Sequence, residues 1–381
     1  MRKYYLDNIR WTTGILVVIY HVIYMYNGII AAGVIGPFAE PQYQDAIQYL
    51  LYPWFMVLLF IVSGISARLH LSRHTLKNFL YSRTRKLLVP STIGLFTFQW
   101  ILGYLNMYIA GAFDHIPAST PRIFLYGIMV LSGVGVLWYI QMLWLFSMLL
   151  VLVRRIETGK LYHLGKKIGF PILLLLGVFL WGAAQLFNTP YVVVYRFGIY
   201  GFAFFLGYFV FSHEEVINCL SKKWAFLSVI AVCMGISYTH YYFGQNYSAK
   251  PVVNSIFSIG YAWVMILFIF AVFKRWFDRT GPVLFWMSRH SFGLYVFHYL
   301  PLAAAAVFID PYLRGFPVLC YLIISIAAFG GGYLLNEVIC RIPVLRWCVL
   351  GIRKGEKYVS GKSDPAAKAE QPVSGGVGRK N

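Results

Sequence analysis

The stretch IRWTTGILVVIYHV, residues 9–22, is an apolar run with an arginine near its start and a histidine near its end. Its apolar and aromatic side chains are not confined to one stripe, which is typical of a helix embedded in a membrane. Arg10 and His21 are the exceptions, and a charged group at membrane depth costs about 2.5–3.5 kcal/mol on insertion scales. Both residues therefore need a structural or functional reason to be there.

The composition of the chain indicates that many of its segments resemble this one. Hydrophobic residues make up 59% of the 381 residues and charged residues 12%, and the mean hydropathy is +0.66. These values predict an integral membrane protein. No segment alternates with period two as a barrel strand would, so the predicted fold class is all-α. The ten predicted spans are 11–30, 49–69, 87–110, 134–153, 169–187, 192–212, 224–242, 252–273, 288–309 and 316–338.

The positions of the basic residues support this segmentation. The formal net charge is +20, and all but four of the 33 Lys and Arg residues fall in the N-terminal segment, the even-numbered connections or the C-terminal segment. Basic residues concentrate on the cytoplasmic side of membrane proteins, so the alternation predicts a multi-pass protein of the cell membrane with both termini cytoplasmic. The basic excess is thus a topology signal, and we expect membrane lipid rather than nucleic acid as its partner.

Two regions differ in composition. Residues 1–350 hold the ten spans and form the predicted transmembrane core, whereas residues 351–381 are polar and rich in small residues and are predicted to be a disordered cytoplasmic tail. The five cysteines have neither CxxC spacing nor other ligands nearby, so no metal is predicted. The chain contains no P-loop, HExxH or GxSxG motif, which argues against an ATPase, a zinc protease or a serine hydrolase.

Arg10 and His21 lie on one face of the first predicted helix. They are eleven positions apart, which is three turns plus roughly 20°, or about 16 Å along the axis. With the N-terminus inside, Arg10 lies at the cytoplasmic rim and His21 near mid-membrane, and we predict a functional role for both. The alternatives are a structural histidine bonded to a neighbouring helix and an arginine that only sets topology.

Further basic residues are candidates for substrate binding. His298, in the ninth span, is predicted at the depth of His21, where it either shares a cavity with that residue or packs as a core histidine. Arg196 either lines the outer end of the cavity or extends to the outer surface. The second connection can hold an anionic ligand such as a nucleotide phosphate, or contact anionic lipid. Its candidates are Arg83, Arg85 and Lys86.

Several stretches together resemble the membrane-bound acyltransferase 3 family, over about residues 5 to 350. LDNIR at 6–10 and the spacing of Arg10 and His21 are similar to the family's LDxIR and R-x10-H patterns. One departure is that an RxxR motif of the family is matched by Arg83 and Lys86, and Lys supplies the charge but not the bidentate fork. The other matching stretches are LFIVSG at 59–64, RTRKLLVP at 83–90, LWYIQMLWLFSMLL at 137–150, FFLGYF at 204–209 and SFGLYVFHYLP at 291–301.

The resemblance implies a reaction, transfer of an acyl group from cytoplasmic acyl-CoA to an acceptor hydroxyl. The expected donor is acetyl-CoA, and the expected acceptor is a carbohydrate or small molecule at the cell envelope, as in O-acetylation of a polysaccharide. The resemblance implies that Arg10 and His21 are the catalytic residues: Arg10 would bind the anionic nucleotide end of the donor, and His21 would act as general base or carry the acyl group transiently. The alternative is a transporter or exporter that uses His21 and His298 as a proton or substrate relay.

Overall fold

A computed structural model describes residues 3–29, 33–189 and 193–352 of the chain. These residues fold into helices, and among them the only β pairing is an isolated bridge between Asn188 and Arg196. The prediction of an all-helical protein is therefore confirmed for the described part. The predicted tail lies outside the described residues, apart from Gly351 and Ile352.

Helices of very different lengths make up the fold, with two short ones, Lys160–Lys166 and Lys250–Val253, in connections. The helices that carry the fold are α1 Tyr4–Tyr24, α2 Tyr43–Leu71, α3 Leu76–Ile109, α4 Arg122–Ser132, α5 Gly135–Ile156, α6 Phe170–Ala184, α7 Phe197–Phe209, α8 Glu214–Lys222, α9 Trp224–Tyr242, α10 Ile256–Trp276, α11 Pro282–Phe297, α12 Tyr299–Leu313, α13 Pro317–Arg341 and α14 Pro343–Leu350.

In the described chain, six helices are long and apolar enough to cross a membrane: α2, α3, α5, α9, α10 and α13. The pair α11 and α12 makes a seventh if it is counted as one span, while α6 and α7 are apolar but shorter, with 15 and 13 residues. Helix α1 begins at Tyr4, so Arg10 lies in its second turn. Several apolar helices are thus confirmed, whereas ten spans and cytoplasmic termini stay predictions.

Local sequence signals set several helix starts. The Thr75 hydroxyl accepts a hydrogen bond from the Asn78 N–H before α3, and the Ser255 hydroxyl accepts one from the Ser258 N–H at the start of α10. Proline occupies the first turn of α6, α11, α13 and α14, where its missing N–H costs no helical hydrogen bond. These starts are therefore encoded locally.

The ninth predicted span, 288–309, is broken at His298. Helix α11 ends at Phe297, α12 begins at Tyr299, and the two axes differ by 54°. Pro301 explains the bend, because it lacks the N–H that would bond the Phe297 carbonyl, and its ring displaces that carbonyl. The break turns the residues around His298 toward α1.

Helix α2 lies at the centre of the bundle and α9 and α13 at its periphery. In an apolar stretch of 18 residues, 83% of α2 is buried, compared with 22% of α9 and of α13. The exposed sides of the peripheral helices carry large apolar residues such as Val229, Ile236 and Leu334. Apolar residues at the periphery are what lipid requires.

Two glycines let α2 and α7 cross at backbone contact. A Cβ atom at Gly64 would overlap the carbonyl oxygen of Phe204, and one at Gly207 would overlap that of Ile61. Close approach at small residues is a general way of packing membrane helices, because lipid gives no hydrophobic force between them. The crossing fixes α2, which carries the central part of the site described below.

We expect Gly64→Ala to lower the thermal unfolding midpoint of the purified protein and to lower its free energy of unfolding by about 1–3 kcal/mol. The reason is that the added methyl group forces two backbones apart. The control is Gly182→Ala, since a Cβ at Gly182 on α6 meets nothing within 4 Å. Circular dichroism in detergent measures both midpoints. Equal midpoints for the two variants would contradict the packing argument.

Candidate active site

A cavity of about 520 Å³ opens beside α1 and is lined mainly by aromatic rings; we call it the aromatic cavity. His21 is part of its wall, and its described lining contains no Asp, Glu, Lys or Arg side chain. The tyrosines that line it are Tyr20, Tyr24, Tyr52, Tyr200, Tyr295 and Tyr299. Such a site can pack apolar faces of a ligand against the rings and bond its polar groups to phenol hydroxyls.

The structure brings the two predicted histidines together. Nε2 of His298 lies 3.1 Å from Nδ1 of His21, and the ring centroids are 5.1 Å apart. His298 is fully buried behind His21 and does not line the cavity. Its Nδ1 is 2.8 Å from the Tyr295 carbonyl oxygen and 3.1 Å from that of Leu294, while Nδ1 of His21 is 2.9 Å from the Val17 carbonyl oxygen.

A second cavity, of about 380 Å³, opens at the other end of α1 between that helix and α2; we call it the basic cavity. Cationic and imidazole side chains dominate its polar lining, which makes it suited to an anionic ligand. Its polar lining residues are Lys3, Asp7, Arg10, Ser66, His70, Arg73 and His74.

Arg10 is held at this cavity by two partners. Its guanidinium forms an ion pair with Asp7, at 2.8 Å, and donates a hydrogen bond to the hydroxyl oxygen of Ser66 on α2. The Ser63 hydroxyl, one turn before Ser66, lies 2.9 Å from the hydroxyl of Tyr139 on α5. Helix α2 thus fixes the direction of Arg10 and links its surroundings to α5.

Ionic contacts anchor the start of α1. The Lys3 ammonium lies 2.6 Å from one oxygen of Glu214 and the Lys274 ammonium 3.4 Å from the other. Partial burial raises the pKa of Glu214, but the hydrogen bonds and positive charges of the two lysines outweigh burial and lower it. The Asn8 side chain also donates to the Phe277 carbonyl oxygen, at 2.6 Å. These contacts set the depth and rotation of α1.

The other predicted basic residues do not converge on the basic cavity. The guanidinium of Arg83 lies over the Phe79 ring, 5.2 Å from its centroid. Arg85 lies 5.7 Å from the Tyr81 ring centroid, and Lys86 is exposed. None of the three lines the cavity, so their substrate-binding role stays a prediction.

Arg196 is buried, with 4% exposure, rather than extended to the surface. It donates to the Asn254 side-chain oxygen at 2.8 Å and to the Val253 carbonyl oxygen at 3.2 Å, and it lies 6.0 Å from the ring of Tyr200. Tyr200 lines the aromatic cavity, but Arg196 itself does not. A direct contact of Arg196 with substrate therefore stays a prediction.

The residues that sequence reasoning missed follow a readable pattern. Lining positions on α1 are 6, 7 and 10 in the basic cavity and 17, 20, 21 and 24 in the aromatic cavity, which lie on one face of the helix, and Lys3 precedes its first residue. Positions 66, 69 and 70 on α2 repeat the same spacing, and Arg73 follows the last residue of that helix. The periodicity of α1 could have been found from the sequence. That this face of α1 packs against α2 could not.

Comparison with known proteins identifies the family. A family model described as an acyltransferase domain, that of the acyltransferase 3 family, matches residues 3–337. The chain belongs to the acyltransferase 3 family. Neither a curated protein nor a solved structure gave a significant match to the chain.

Membership of the acyltransferase 3 family means that the chain is a membrane acyltransferase. The matched range includes the lining residues of both cavities. Family membership gives the chain a reaction class, transfer of an acyl group. Among the described residues, no cluster of three His, Cys, Asp or Glu side chains could hold a metal ion. The two cavities and their surroundings contain an imidazole pair, phenol hydroxyls and a cluster of basic side chains.

Proposed function

We propose that this acyltransferase moves an acyl group, with acetyl as the expected one, from cytoplasmic acyl-CoA to a hydroxyl of a carbohydrate or small-molecule acceptor. The observation that carries the proposal is the stripe on α1, which has Arg10 in the basic cavity and His21 in the aromatic cavity. A cation for the donor's phosphates and an imidazole for the acceptor's hydroxyl lie on one rigid element, about 16 Å apart along its axis.

The basic cavity fits the nucleotide end of the donor. Arg10 and Arg73 offer guanidinium groups, which bind phosphate oxygens in bidentate geometry, and Lys3 adds a further positive charge. Because Asp7 neutralises part of the charge of Arg10, the affinity for a polyanion depends on the balance of these two residues. Access of the donor from the cytoplasm follows from the predicted orientation of the termini.

Space along α1 suits the acyl-bearing arm of the donor. Gly14 lies at roughly 40° from Arg10 and 20° from His21 around the helix axis, so it is on the same face, between the two cavities. A Cβ at Gly14 would meet nothing within 4 Å. In the proposal the thin pantetheine arm passes this position and brings the thioester to His21.

The aromatic cavity fits a neutral hydroxyl-bearing acceptor. Its described lining lacks charged carboxylate, ammonium and guanidinium groups, so nothing there compensates an ionic group on the reacting part of the ligand. Phenol hydroxyls both donate and accept hydrogen bonds, and ring faces pack against C–H groups. A sugar ring presents both kinds of surface.

The chemistry requires one proton to move through His21. The imidazole takes the proton of the acceptor hydroxyl while that oxygen attacks the thioester carbonyl carbon, the C–S bond breaks, and the leaving thiolate receives the proton. In the alternative sequence, the imidazole itself attacks the thioester carbonyl carbon and the C–S bond breaks; the acceptor oxygen then attacks the acyl-imidazole, and its proton passes to the thiolate released in the first step. Both sequences need a neutral imidazole with a lone pair directed at the cavity.

We expect His21→Ala to lower the rate of acyl transfer by about 10²–10⁴-fold, because general base catalysis is lost. The matched control is His290→Ala: His290 also bonds the carbonyl oxygen four residues earlier, at 2.8 Å, but it lines neither cavity. Purified protein in liposomes with acetyl-CoA and a water-soluble oligosaccharide gives the rate. Normal transfer by His21→Ala would exclude His21 as base or carrier, and no acetyl-CoA binding by the parent would favour a transporter.

We expect Arg10→Gln and Asp7→Asn to shift donor binding in opposite directions. Loss of a charge-assisted hydrogen bond is worth about 1.5–3 kcal/mol, so Arg10→Gln should weaken acetyl-CoA binding roughly 10–100-fold, while Asp7→Asn should strengthen it by releasing the guanidinium. Isothermal titration with acetyl-CoA measures both. The control is Arg155→Gln, an exposed arginine at the end of α5. Unchanged affinity in both variants would leave Arg10 as a topology residue.

We expect Gly14→Leu to raise the KM for acetyl-CoA by at least roughly tenfold without changing the unfolding midpoint, since the new side chain fills the proposed path of the arm. Gly182→Leu, at another glycine with open space around it, should leave the KM unchanged. Initial rates measured at varied acetyl-CoA concentration give the KM of both variants. A normal KM in Gly14→Leu would show that the donor takes another path.

A further inference from the structure

We propose that His298 is a positioning residue: it fixes the proton of His21 on Nδ1 and so makes Nε2 of His21 the basic nitrogen that faces the cavity. The inference rests on the proposed acyl transfer and assigns the second histidine a role other than substrate binding. The observation behind it is the set of short contacts around the three nitrogen atoms Nδ1 of His298, Nε2 of His298 and Nδ1 of His21.

The surroundings of His298 determine its tautomer. Its Nδ1 faces the carbonyl oxygens of Leu294 and Tyr295, at 3.1 and 2.8 Å. A carbonyl oxygen only accepts hydrogen bonds, so Nδ1 must carry the hydrogen. In a neutral imidazole the other nitrogen, Nε2, is then an acceptor with a lone pair.

The tautomer of His21 follows from that of His298. Nδ1 of His21 faces two acceptors, Nε2 of His298 at 3.1 Å and the Val17 carbonyl oxygen at 2.9 Å. It must therefore carry the hydrogen and share it between them. The lone pair of a neutral His21 is left on Nε2, and the cavity that this ring lines is where it can meet an acceptor hydroxyl.

His298 lies at the break between α11 and α12, and its ring contacts carbonyl groups of its own preceding turn. Helix α13 supports the break from the other side, because a Cβ at Gly332 would lie 3.1 Å from Cα of His298, closer than ordinary contacts allow. His298 thus contacts the Tyr295 carbonyl oxygen through Nδ1 and Nδ1 of His21 through Nε2, and this leaves Nε2 of His21 to take the proton.

The pair also has a role while the reaction proceeds. When Nε2 of His21 takes the hydroxyl proton, the imidazolium donates its Nδ1–H to the neutral Nε2 of His298, and this hydrogen bond strengthens because its donor is charged. His298 neither gains nor loses a proton, and the proton on His21 goes on to the leaving thiolate. The arrangement resembles a Ser-His-Asp triad with a second imidazole in the place of the carboxylate.

Two substitutions separate the proposed role from mere packing. In His298→Gln the side-chain amide reaches about as far as Nε2 and keeps an acceptor for His21, whereas in His298→Asn the amide reaches only as far as Nδ1. We expect His298→Gln to retain kcat within about tenfold, and His298→Asn to lose at least roughly 100-fold in kcat with an unchanged KM for acetyl-CoA, since the wrong tautomer is severely inactivating in triads.

A measurement independent of activity completes the test. Nitrogen-15 NMR of protein with labelled histidine distinguishes Nδ1–H from Nε2–H, and His21→Ala assigns the signal. We expect His21 as Nδ1–H in the parent and in His298→Gln, and a mixture in His298→Asn. An Nε2–H tautomer of His21 in the parent would overturn the inference even if neither variant folds. Loss of kcat in both variants while His21 keeps its Nδ1–H would overturn it as well. A parent that transfers no acyl group would refute the proposed function, while the NMR result still decides the role of His298.

Discussion

The structure depends on one constraint: at membrane depth, a polar group finds its partner within the protein or not at all. His21 and His298 satisfy it with each other and with three backbone carbonyl oxygens, at distances of 2.8–3.1 Å. Arg10, which is partly exposed in the basic cavity, also finds its partners on α1 and α2. Because lipid offers no hydrogen bonds, the tautomers and directions of these side chains are determined by the chain itself.

Helix packing serves this constraint through small residues. The Gly64 and Gly207 crossing brings α2 against α7, and α2 in turn supplies Ser66 to Arg10. At the other end of the site, Gly332 lets α13 support the break at His298. Backbone contact at glycine is rigid, since no side-chain rotation can relieve it. A rigid frame is what holds an imidazole pair at hydrogen-bond distance.

Much of the fold could be predicted from the sequence because lipid imposes a simple rule on composition. Each of the ten predicted apolar segments contains a helix, although only six helices of the described chain are long and apolar enough to cross a membrane, and α4 and α8 lie in predicted connections. The face shared by Arg10 and His21 followed from helix periodicity alone. Less could be predicted for Arg83, Arg85 and Lys86, whose charges are equally suited to lipid and to a ligand, and whose positions lie outside the basic cavity.

The sequence by itself determined the class of protein, the stripe on α1 and the residues that resemble a family, since these depend on local order along the chain. Only the tertiary structure decided that His298 contacts His21, that Arg10 pairs with Asp7 and Ser66, and that tyrosines from five helices enclose one cavity. The reason is that such contacts join residues up to 277 positions apart. Their geometry depends on a 54° bend and on glycine crossings, which set distances that no local pattern contains.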